Sequence, residues 1–276
     1  MIPGLKAPSN LSINFAPSPR QYEVWKNLQP ECPECGGRVV QVQTGLDRNG
    51  NPVYTSVCEK CGNNNIPQMI LCGGAAGGGK SYLGSCWLIS SCLRWADMRM
   101  VVARKTLKSL RESTWNTIQS VAKSWGLEEQ VHYKINNLSG EMIFWNGSRI
   151  IMKEMAYSPS DPDYLRFGSS EFSGAFVDEV GEVDQRGVDV LFSRIRWKVA
   201  DTTKVPKMLM STNPCLGWVR DRFVLDENAE PVVCRPNEMY IPFSVYDNPD
   251  KNFVNAYVSA LYKISDPSVR ERLLFG

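Results

Sequence analysis

The stretch MILCGGAAGGGKS, residues 69–81, decides the fold of this chain. Its apolar beginning predicts a buried strand over residues 68–72, and the residues that follow it predict an apolar helix from Lys80 to about Trp95. Between the two, residues 74–81 satisfy the pattern G-x-x-x-x-G-K-[ST], whose glycines let backbone N–H groups turn towards phosphate oxygens at a helix N-terminus. In this pattern the lysine reaches the β- and γ-phosphates and the hydroxyl group ligates Mg²⁺. The sequence therefore predicts a nucleotide site formed by Gly74, Gly77, Gly78, Gly79, Lys80 and Ser81.

Strand and helix patterns alternate after this loop. Buried strands are predicted over residues 99–103, 174–177, 207–210 and 238–242, and Asn146-Gly147 predicts a hairpin turn. Thr106 is predicted to cap a single helix whose apolar face carries Leu107, Leu110, Ile118, Val121 and Trp125. Such alternation predicts an α/β fold in which a mostly parallel sheet is covered by helices on both faces.

Two of the predicted strands end in polar residues. The strand over residues 174–177 runs into Asp178 and Glu179. Beside a phosphate loop, Asp178 would hold Mg²⁺ and Glu179 would polarise the attacking water, whereas the alternative is a surface acidic loop. The strand over residues 207–210 runs into Ser211, Thr212 and Asn213, which either face the γ-phosphate or simply form a turn before a proline.

Composition excludes several classes of protein. The chain has 276 residues, a net charge of +2, no run of 18 apolar residues and no basic-then-apolar leader. We therefore expect neither a membrane span, nor a signal peptide, nor a polycation that binds nucleic acid along its whole surface. A single histidine limits histidine-based catalysis, and the nine cysteines are spaced as expected for one metal site in a reducing compartment.

The three strand ends, in this order, resemble those of the ATPase domain of phage terminase large subunits. Further segments are similar to that family: Pro19-Arg20-Gln21, Arg104-Lys105-Thr106, Ser109 to Trp115, Leu165 to Gly168, Phe172-Ser173-Gly174, Asp247-Asn248-Pro249 and Arg270 to Gly276. The resemblance covers roughly residues 15–30 and 67–276. It implies an additional-strand (ASCE) P-loop NTPase fold.

The resemblance also implies roles for individual residues. Lys80 and Ser81 would bind phosphate and Mg²⁺, Asp178 would bind Mg²⁺, and Glu179 would activate water. Gln21 would hydrogen-bond the adenine edge, although a polar residue at a helix N-terminus is the alternative. Ser211, Thr212 and Asn213 would couple the γ-phosphate state to domain motion.

What the resemblance implies about function is an ATP-hydrolysing motor that drives double-stranded DNA into a procapsid. The expected partners are DNA, the portal protein and the small terminase subunit. A homo-oligomeric ring, taken as a pentamer, is expected during packaging, and a monomer is an option for the isolated protein. The location would be the bacterial host cytoplasm, docked on the procapsid, with no contact with a membrane.

The phosphate loop departs from part of the family at one point. Some members carry an arginine inside the loop, where this chain has Ala75 and Ala76. Because phosphoryl transfer needs a cation for the developing charge, we expect an arginine supplied by a neighbouring subunit. Arg166 is the first candidate and Arg104 the second, and a structural salt bridge is the alternative role for Arg166.

Residues 31–66 are extra relative to the minimal family pattern. Cys32/Cys35 and Cys58/Cys61 form two Cys-x-x-Cys pairs, each followed by glycine, with two β-like runs between them. Four thiolates fill the tetrahedral shell of Zn²⁺, so we predict a structural zinc ribbon. Since acidic residues offset its basic ones, a structural or subunit-contact role is favoured over contact with DNA or the portal.

These assignments divide the chain into a segment with the adenine-binding motif (1–30), the ribbon (31–66), the ATPase core (67–225), and a last strand with a C-terminal lid or linker (226–276). The family's nuclease domain is not recognised in these residues, so no DNA cleavage by this chain is expected. Two other functions stay open: a helicase-class P-loop ATPase, and a nucleotide-gated scaffold without motor activity.

Overall fold

The computed structural model describes residues 2–196 and 205–276, so residues 197–204 of the expected ATPase core lie outside the described part. The strands are β1 Val39–Leu46, β2 Pro52–Cys58, β3 Met69–Gly74, β4 Arg99–Arg104, β5 Tyr133–Asn136, β6 Glu141–Phe144, β7 Arg149–Glu154, β8 Gly174–Val177, β9 Met208–Thr212 and β10 Glu238–Phe243. The α-helices are α1 Pro19–Leu28, α2 Lys80–Arg94, α3 Leu107–Glu112, α4 Thr114–Ser124, α5 Gln185–Ser193, α6 Trp218–Phe223, α7 Lys251–Leu261 and α8 Pro267–Phe275. None of these helices is long and apolar enough to span a membrane.

The central sheet has eight strands in the order β10-β3-β9-β8-β4-β7-β6-β5. Strands β10 to β7 in this order pair in parallel, and β6 and β5 extend the sheet by antiparallel pairing. The mostly parallel sheet is therefore confirmed. Strands β3, β9 and β8 are parallel neighbours. Their carboxyl ends therefore bring together the phosphate loop, the Ser-Thr-Asn segment and the acidic pair.

Both faces of the sheet are buried, as expected for parallel strands. Along β3, Ile70 and Cys72 point into a core shared with α1, α2 and α4, whereas Met69 and Leu71 point into a second core shared with α5 and α6. This alternation follows from the period of two along a strand. Packing on both faces holds β3 in place, and with it the start of the phosphate loop that follows β3.

The single helix predicted after Thr106 is wrong, because the structure contains α3 and α4 with a break at Ser113. Thr106 does cap α3, by accepting a hydrogen bond from Ser109 N at 3.1 Å. At the break Ser113 has φ −125° and ψ −84°, its hydroxyl donates to the Ser109 carbonyl oxygen at 2.8 Å, and Arg104 donates to that hydroxyl. Local side-chain bonds of this kind compete with helix continuation. The break turns Thr114 towards the acidic strand end.

The cysteine segment forms a separate two-stranded antiparallel sheet, β1 with β2. Cys32, Val39, Cys58, Ile66 and Val205 are buried together in a small cluster. Val205 lies shortly before β9, so the hairpin packs on the central sheet at the start of that strand.

Candidate functional site

The phosphate loop joins the end of β3 to the start of α2. Gly74, Gly77 and Gly79 have positive φ of 120°, 77° and 80°, a region that residues with a Cβ rarely adopt. Gly74 also lies against β10, where Ala75 N donates to the Phe243 carbonyl oxygen at 2.8 Å. These constraints explain why the chain needs glycine at these places.

Lys80, the first residue of α2, folds its side chain back over this loop. Its Nζ donates to the carbonyl oxygens of Gly74 at 3.0 Å and Ala75 at 2.6 Å, and to Asn213 Oδ1 at 3.3 Å. Burial lowers the pKa of Lys80, and the negative charges of Glu179 and Asp178 oppose that shift. The ammonium group is thus held over the place where phosphate oxygens approach a loop of this kind.

Asp178, directly after β8, is 3% exposed and accepts hydrogen bonds from three hydroxyl groups. Ser81 donates to Oδ1 at 3.1 Å, Ser211 also donates to Oδ1, and Thr114 donates to Oδ2 at 2.5 Å. The sequence predicts that Asp178 and Ser81 share a site, whereas nothing in it points to Thr114, which lies 64 residues before Asp178. A carboxylate and a hydroxyl oxygen at this distance are ligands that fit Mg²⁺.

Glu179 takes a left-handed backbone conformation, with φ 52°, which turns its side chain towards Asn213. Asn213 Nδ2 donates to Glu179 Oε1 at 2.9 Å, and Asn213 N donates to Oε2 at 3.4 Å. Burial raises the pKa of Glu179, and the charge of Asp178 raises it further. Because Asn213 Oδ1 also accepts from Lys80, one amide bridges the lysine of the phosphate loop and the carboxylate that follows β8.

The neighbours of Asn213 in β9 have different contacts. Ser211 contacts Asp178 through its hydroxyl, and that same hydroxyl oxygen accepts from Glu179 N at 3.4 Å. Thr212 Oγ1 donates to the Asn213 carbonyl oxygen at 2.8 Å, within its own turn. Glu182 and Asp184, the other acidic residues after β8, lie in the next turn and at the N-cap of α5.

Gln21 lies beside the phosphate loop, but both ends of its amide are engaged. Its Oε1 accepts from Ser18 N at 3.1 Å, which caps α1, and its Nε2 donates to the Gly79 carbonyl oxygen at 3.2 Å. The residue is fully buried. Asn248 supports the loop from the other side, with Nδ2 donating to the Gly77 carbonyl oxygen at 2.6 Å. In this structure Gln21 therefore braces the loop.

In the part of the chain that the structure describes, the contacts of Arg166 are made to residues outside the phosphate loop. Its guanidinium group pairs with Asp161 Oδ2 at 2.8 Å, donates to the Ala156 carbonyl oxygen at 2.6 Å and stacks on Tyr164. Arg104, at the end of β4, contacts the Ser109 carbonyl oxygen and the Ser113 hydroxyl. Its positive charge lowers the pKa of Glu179, and Ser113, which it contacts, immediately precedes Thr114, the donor to Asp178.

The four cysteines Cys32, Cys35, Cys58 and Cys61 converge, with all their sulfur atoms within 4.8 Å of one another. The Cys32–Cys61 and Cys35–Cys58 sulfur distances are 3.7 and 3.5 Å. A tetrahedral zinc site with Zn–S bonds of about 2.3 Å places its sulfurs about 3.8 Å apart. The Cys61 backbone N–H lowers the pKa of Cys58, which favours its thiolate, whereas the neighbouring cysteines raise the pKa of Cys61. The residues present therefore fit a zinc ion.

The turns of the two cysteine pairs match one another. Gly36 N donates to the Cys32 carbonyl oxygen and Gly62 N to the Cys58 carbonyl oxygen, both at 2.9 Å. Both glycines have positive φ, 66° and 74°. The two halves of the cluster are thus built alike, as the spacing predicted.

Phage terminases are among the known proteins to which this chain is similar. The family model described as phage terminase large subunit matches residues 67–263. The large terminase of a thermophilic bacteriophage (crystal form 2) has 18% identity and a TM-score of 0.55, covering 79% of this chain and 50% of that one. The same protein in complex with ADP has 17% identity and a TM-score of 0.53, covering 78% and 50%. A search of curated proteins found no match.

The present chain thus spans about half the length of that thermophilic phage terminase. The structural likeness extends to the fold, and the family match covers most of the chain, including the phosphate loop and both polar strand ends. These findings favour the terminase interpretation over the helicase alternative. The chain therefore belongs to the phage terminase large subunit family and has its ASCE P-loop ATPase fold.

Proposed function

We propose that this chain is the Mg²⁺-dependent, ATP-hydrolysing motor domain of a terminase that moves double-stranded DNA into a procapsid. The observation that carries the proposal is the bridge formed by Asn213 between Lys80 and Glu179. If Glu179 had only a structural role, it would not need to be linked, through Asn213 after β9, to the lysine of the phosphate loop. A carboxylate that activates water beside a γ-phosphate needs both.

Each residue then has one task. Bound Mg²⁺ would neutralise charge on the β- and γ-phosphate oxygens, and Ser81 and Asp178 would hold it. Lys80 would bind the same phosphates, and Glu179 would orient the attacking water. Glycines of the loop would offer backbone N–H groups, and Gln21 would have to release the Gly79 carbonyl oxygen to reach an adenine edge.

Asn213 would report the nucleotide state to the rest of the domain. Its Oδ1 accepts a hydrogen bond from Lys80, and a γ-phosphate oxygen would compete for the same ammonium group. Because Asn213 lies between β9 and α6, a change in the contacts of its amide would be passed to α6. We therefore assign coupling to Ser211, Thr212 and Asn213, with Asn213 as the direct contact.

The charge that develops in phosphoryl transfer needs a further cation. Arg166 would act only from a neighbouring subunit, which agrees with its position away from the loop and its partial exposure of 31%. Arg104 would act within the same chain, and its electrostatic effect on Glu179 supports this second option. The two options predict opposite dependences on assembly.

The remaining assignments complete the proposal. Cys32, Cys35, Cys58 and Cys61 would hold a structural zinc ion in the ribbon of residues 31–66. Residues 1–30 would form the adenine-side segment, residues 67–225 the ATPase core, and residues 226–276 the last strand with a C-terminal lid or linker. DNA, the portal protein, the small subunit and a homo-oligomeric, pentameric ring would be its partners, in the host cytoplasm on the procapsid.

The test is Mg-ATP turnover per chain as a function of protein concentration, with and without double-stranded DNA. If Arg166 acts between subunits, turnover per chain rises with concentration and Arg166→Ala abolishes it. Arg186→Ala, a surface arginine paired with Asp163, serves as the matched control. Flat turnover that only Arg104→Ala removes would transfer the role to Arg104. No turnover under any condition would instead favour the scaffold alternative.

A further inference from the structure

Three exposed basic residues lie in α3 and just before it. Lys105, Lys108 and Arg111 follow one another at intervals of three residues, and each is exposed. Lys108 and Arg111 belong to α3, where residues three apart are neighbours on the helix surface, and Lys105 directly precedes the N-cap residue Thr106. We call Lys105, Lys108 and Arg111 the basic face. It gathers three positive charges in a chain whose net charge is +2.

The basic face has no acidic partner in the part of the chain that the structure describes, because no ion pair there includes any of its residues. Glu112, the acidic residue of α3, is exposed and belongs to none of these ion pairs either. By contrast, the surface residue Arg186 is paired with Asp163. An external anion can therefore bind the basic face without first displacing a carboxylate.

Arg111 is held in place by a neighbouring turn. Its Nη2 donates to the Asn137 carbonyl oxygen at 3.4 Å, and Asn137 lies between β5 and β6, at the antiparallel end of the central sheet. An arginine side chain has five N–H donors in a planar arrangement that suits phosphate oxygens. This contact thus orients the guanidinium group and leaves donors for a ligand.

The partner that fits a row of exposed cations is a polyanion with regularly spaced charges. A DNA duplex carries one phosphate about every 3.4 Å along each strand, and Lys108 and Arg111 are about 4.5 Å apart along the axis of α3. A protein of low net charge binds such a backbone through a local patch of charge. In the ribbon, by comparison, Arg38 is paired with Glu59. The charges therefore favour α3 over the ribbon as a surface for DNA.

The basic face is also joined to the nucleotide site by the backbone. α3 ends at Ser113, whose hydroxyl accepts a hydrogen bond from Arg104. The next residue, Thr114, donates to Asp178 Oδ2 at 2.5 Å. A ligand on the basic face would therefore act on the segment that positions the proposed Mg²⁺ ligand.

We propose that the basic face binds the phosphate backbone of double-stranded DNA. The inference rests on the proposed function, which makes DNA a partner without naming a surface for it. Phosphate contacts carry no base-sequence information directly, which suits a motor that moves along DNA of any sequence.

The test measures DNA binding by the full chain and needs no hydrolysis. Affinity for a fluorescent DNA duplex of arbitrary sequence is determined by anisotropy at several salt concentrations for wild type and for the combined variant Lys105→Ala, Lys108→Ala, Arg111→Ala. The matched control removes the same charge elsewhere, with Lys6→Ala, Arg48→Ala and Lys263→Ala at exposed positions. Each lost phosphate contact reduces the slope of log affinity against log salt by about 0.9. The slope is therefore expected to fall by about 2–3 in the α3 variant and to stay unchanged in the control.

A charge-conserving variant shows that an effect comes from charge and not from an altered fold. Lys105→Arg, Lys108→Arg and Arg111→Lys together should keep the wild-type slope. A wild-type slope in the alanine variant of α3, or an equal loss in the control, would overturn the inference and leave the proposed function standing. Absence of DNA binding by the wild-type chain at low salt would overturn DNA as a partner, and the inference with it.

Discussion

Thr114 Oγ1 donates a hydrogen bond of 2.5 Å to Asp178 Oδ2, across 64 positions of sequence. Thr114 is the first residue of α4 and is 1% exposed. The opposite oxygen, Oδ1, accepts from Ser81 and Ser211. The start of α4 thus fixes the rotation of the carboxylate and leaves Oδ1 facing the hydroxyl of the phosphate loop.

Thr114→Val should therefore weaken the use of Mg²⁺. Valine keeps the shape but removes the donor, and a hydrogen bond to a charged group contributes about 1.5–3 kcal/mol. We expect the Mg²⁺ concentration for half-maximal ATP turnover to rise about tenfold. The titration is done at saturating ATP.

Two further variants separate this effect from a general loss of stability. Thr114→Ser keeps the hydroxyl and should restore the wild-type Mg²⁺ requirement. Thr117→Val removes a hydroxyl one turn later that bonds only to the Ser113 carbonyl oxygen among its described contacts, and should change nothing. An unchanged Mg²⁺ requirement in Thr114→Val would mean that Thr114 does not position Asp178.

Asn213→Ala should slow hydrolysis while leaving nucleotide binding intact. The substitution removes the amide that donates to Glu179 and accepts from Lys80. Since positioned acid–base groups contribute about 10²–10⁴ in rate, turnover is expected to fall about 100-fold. ATP affinity, measured with a fluorescent analogue, should change by less than about threefold, because loop and lysine remain.

The control for this variant is Asn228→Ala, an exposed asparagine in a turn. Its turnover should equal that of wild type. If Asn213→Ala hydrolyses ATP at the wild-type rate, the bridge has no part in catalysis and Glu179 is held by other groups.

Glu179→Gln should stabilise the fold at neutral and basic pH. The pKa of Glu179 is raised from 4.5 because burial and Asp178 disfavour its charged form. The folded state therefore loses stability as pH rises through that raised pKa, and glutamine removes the loss. We expect the Tm of Glu179→Gln to exceed that of wild type by about 2 °C at pH 8, with the gain shrinking towards pH 4.5.

Glu227→Gln, at an exposed position, checks whether any removed carboxylate gives this result. It should show the same small Tm difference at both pH values. A Tm gain for Glu179→Gln that grows at low pH would mean that the folded state lowers the pKa of Glu179 instead of raising it.

Cys58→Ser should empty the proposed zinc site, because Cys58 is 1% exposed and its sulfur lies 3.5 Å from that of Cys35. Three thiolates leave the tetrahedral shell incomplete. Zinc content is expected to fall from about one to below about 0.2 per chain after dialysis against a chelator, with a lower Tm. Cys234→Ser, a partly buried cysteine outside the cluster, should keep its zinc; equal zinc in both variants would contradict the assignment.

The phosphate loop, the acidic strand end and each cysteine pair could be recognised from the sequence, because the residues of each lie within a few positions of one another. Parallel pairing then brings the ends of β3, β8 and β9 together. Contacts such as Asn248 to Gly77 and Thr114 to Asp178 could not be predicted, because 171 and 64 residues separate the partners. The helix break at Ser113 was missed for a related reason: Arg104, from another element, bonds to the side chain that ends the helix.

The role given to Gln21 illustrates a different limit. Its motif predicted a place beside the nucleotide, and the structure puts it against Gly79. The Gln21 amide is engaged by Ser18 and by the Gly79 carbonyl oxygen, and the spacing of residues in the sequence does not predict these two contacts. The contacts of Arg166 are likewise not encoded by spacing, because its partners Asp161 and Ala156 belong to a loop that folds back on itself.

In the proposed mechanism, Glu179 activates water for hydrolysis of ATP bound by Lys80. The most direct measurement is single-turnover phosphate release from Mg-ATP by wild type and Glu179→Gln, with ATP binding measured on the same samples. We expect hydrolysis by wild type and a loss of at least about 100-fold in Glu179→Gln, with ATP binding retained. Hydrolysis by Glu179→Gln at the wild-type rate would contradict this mechanism.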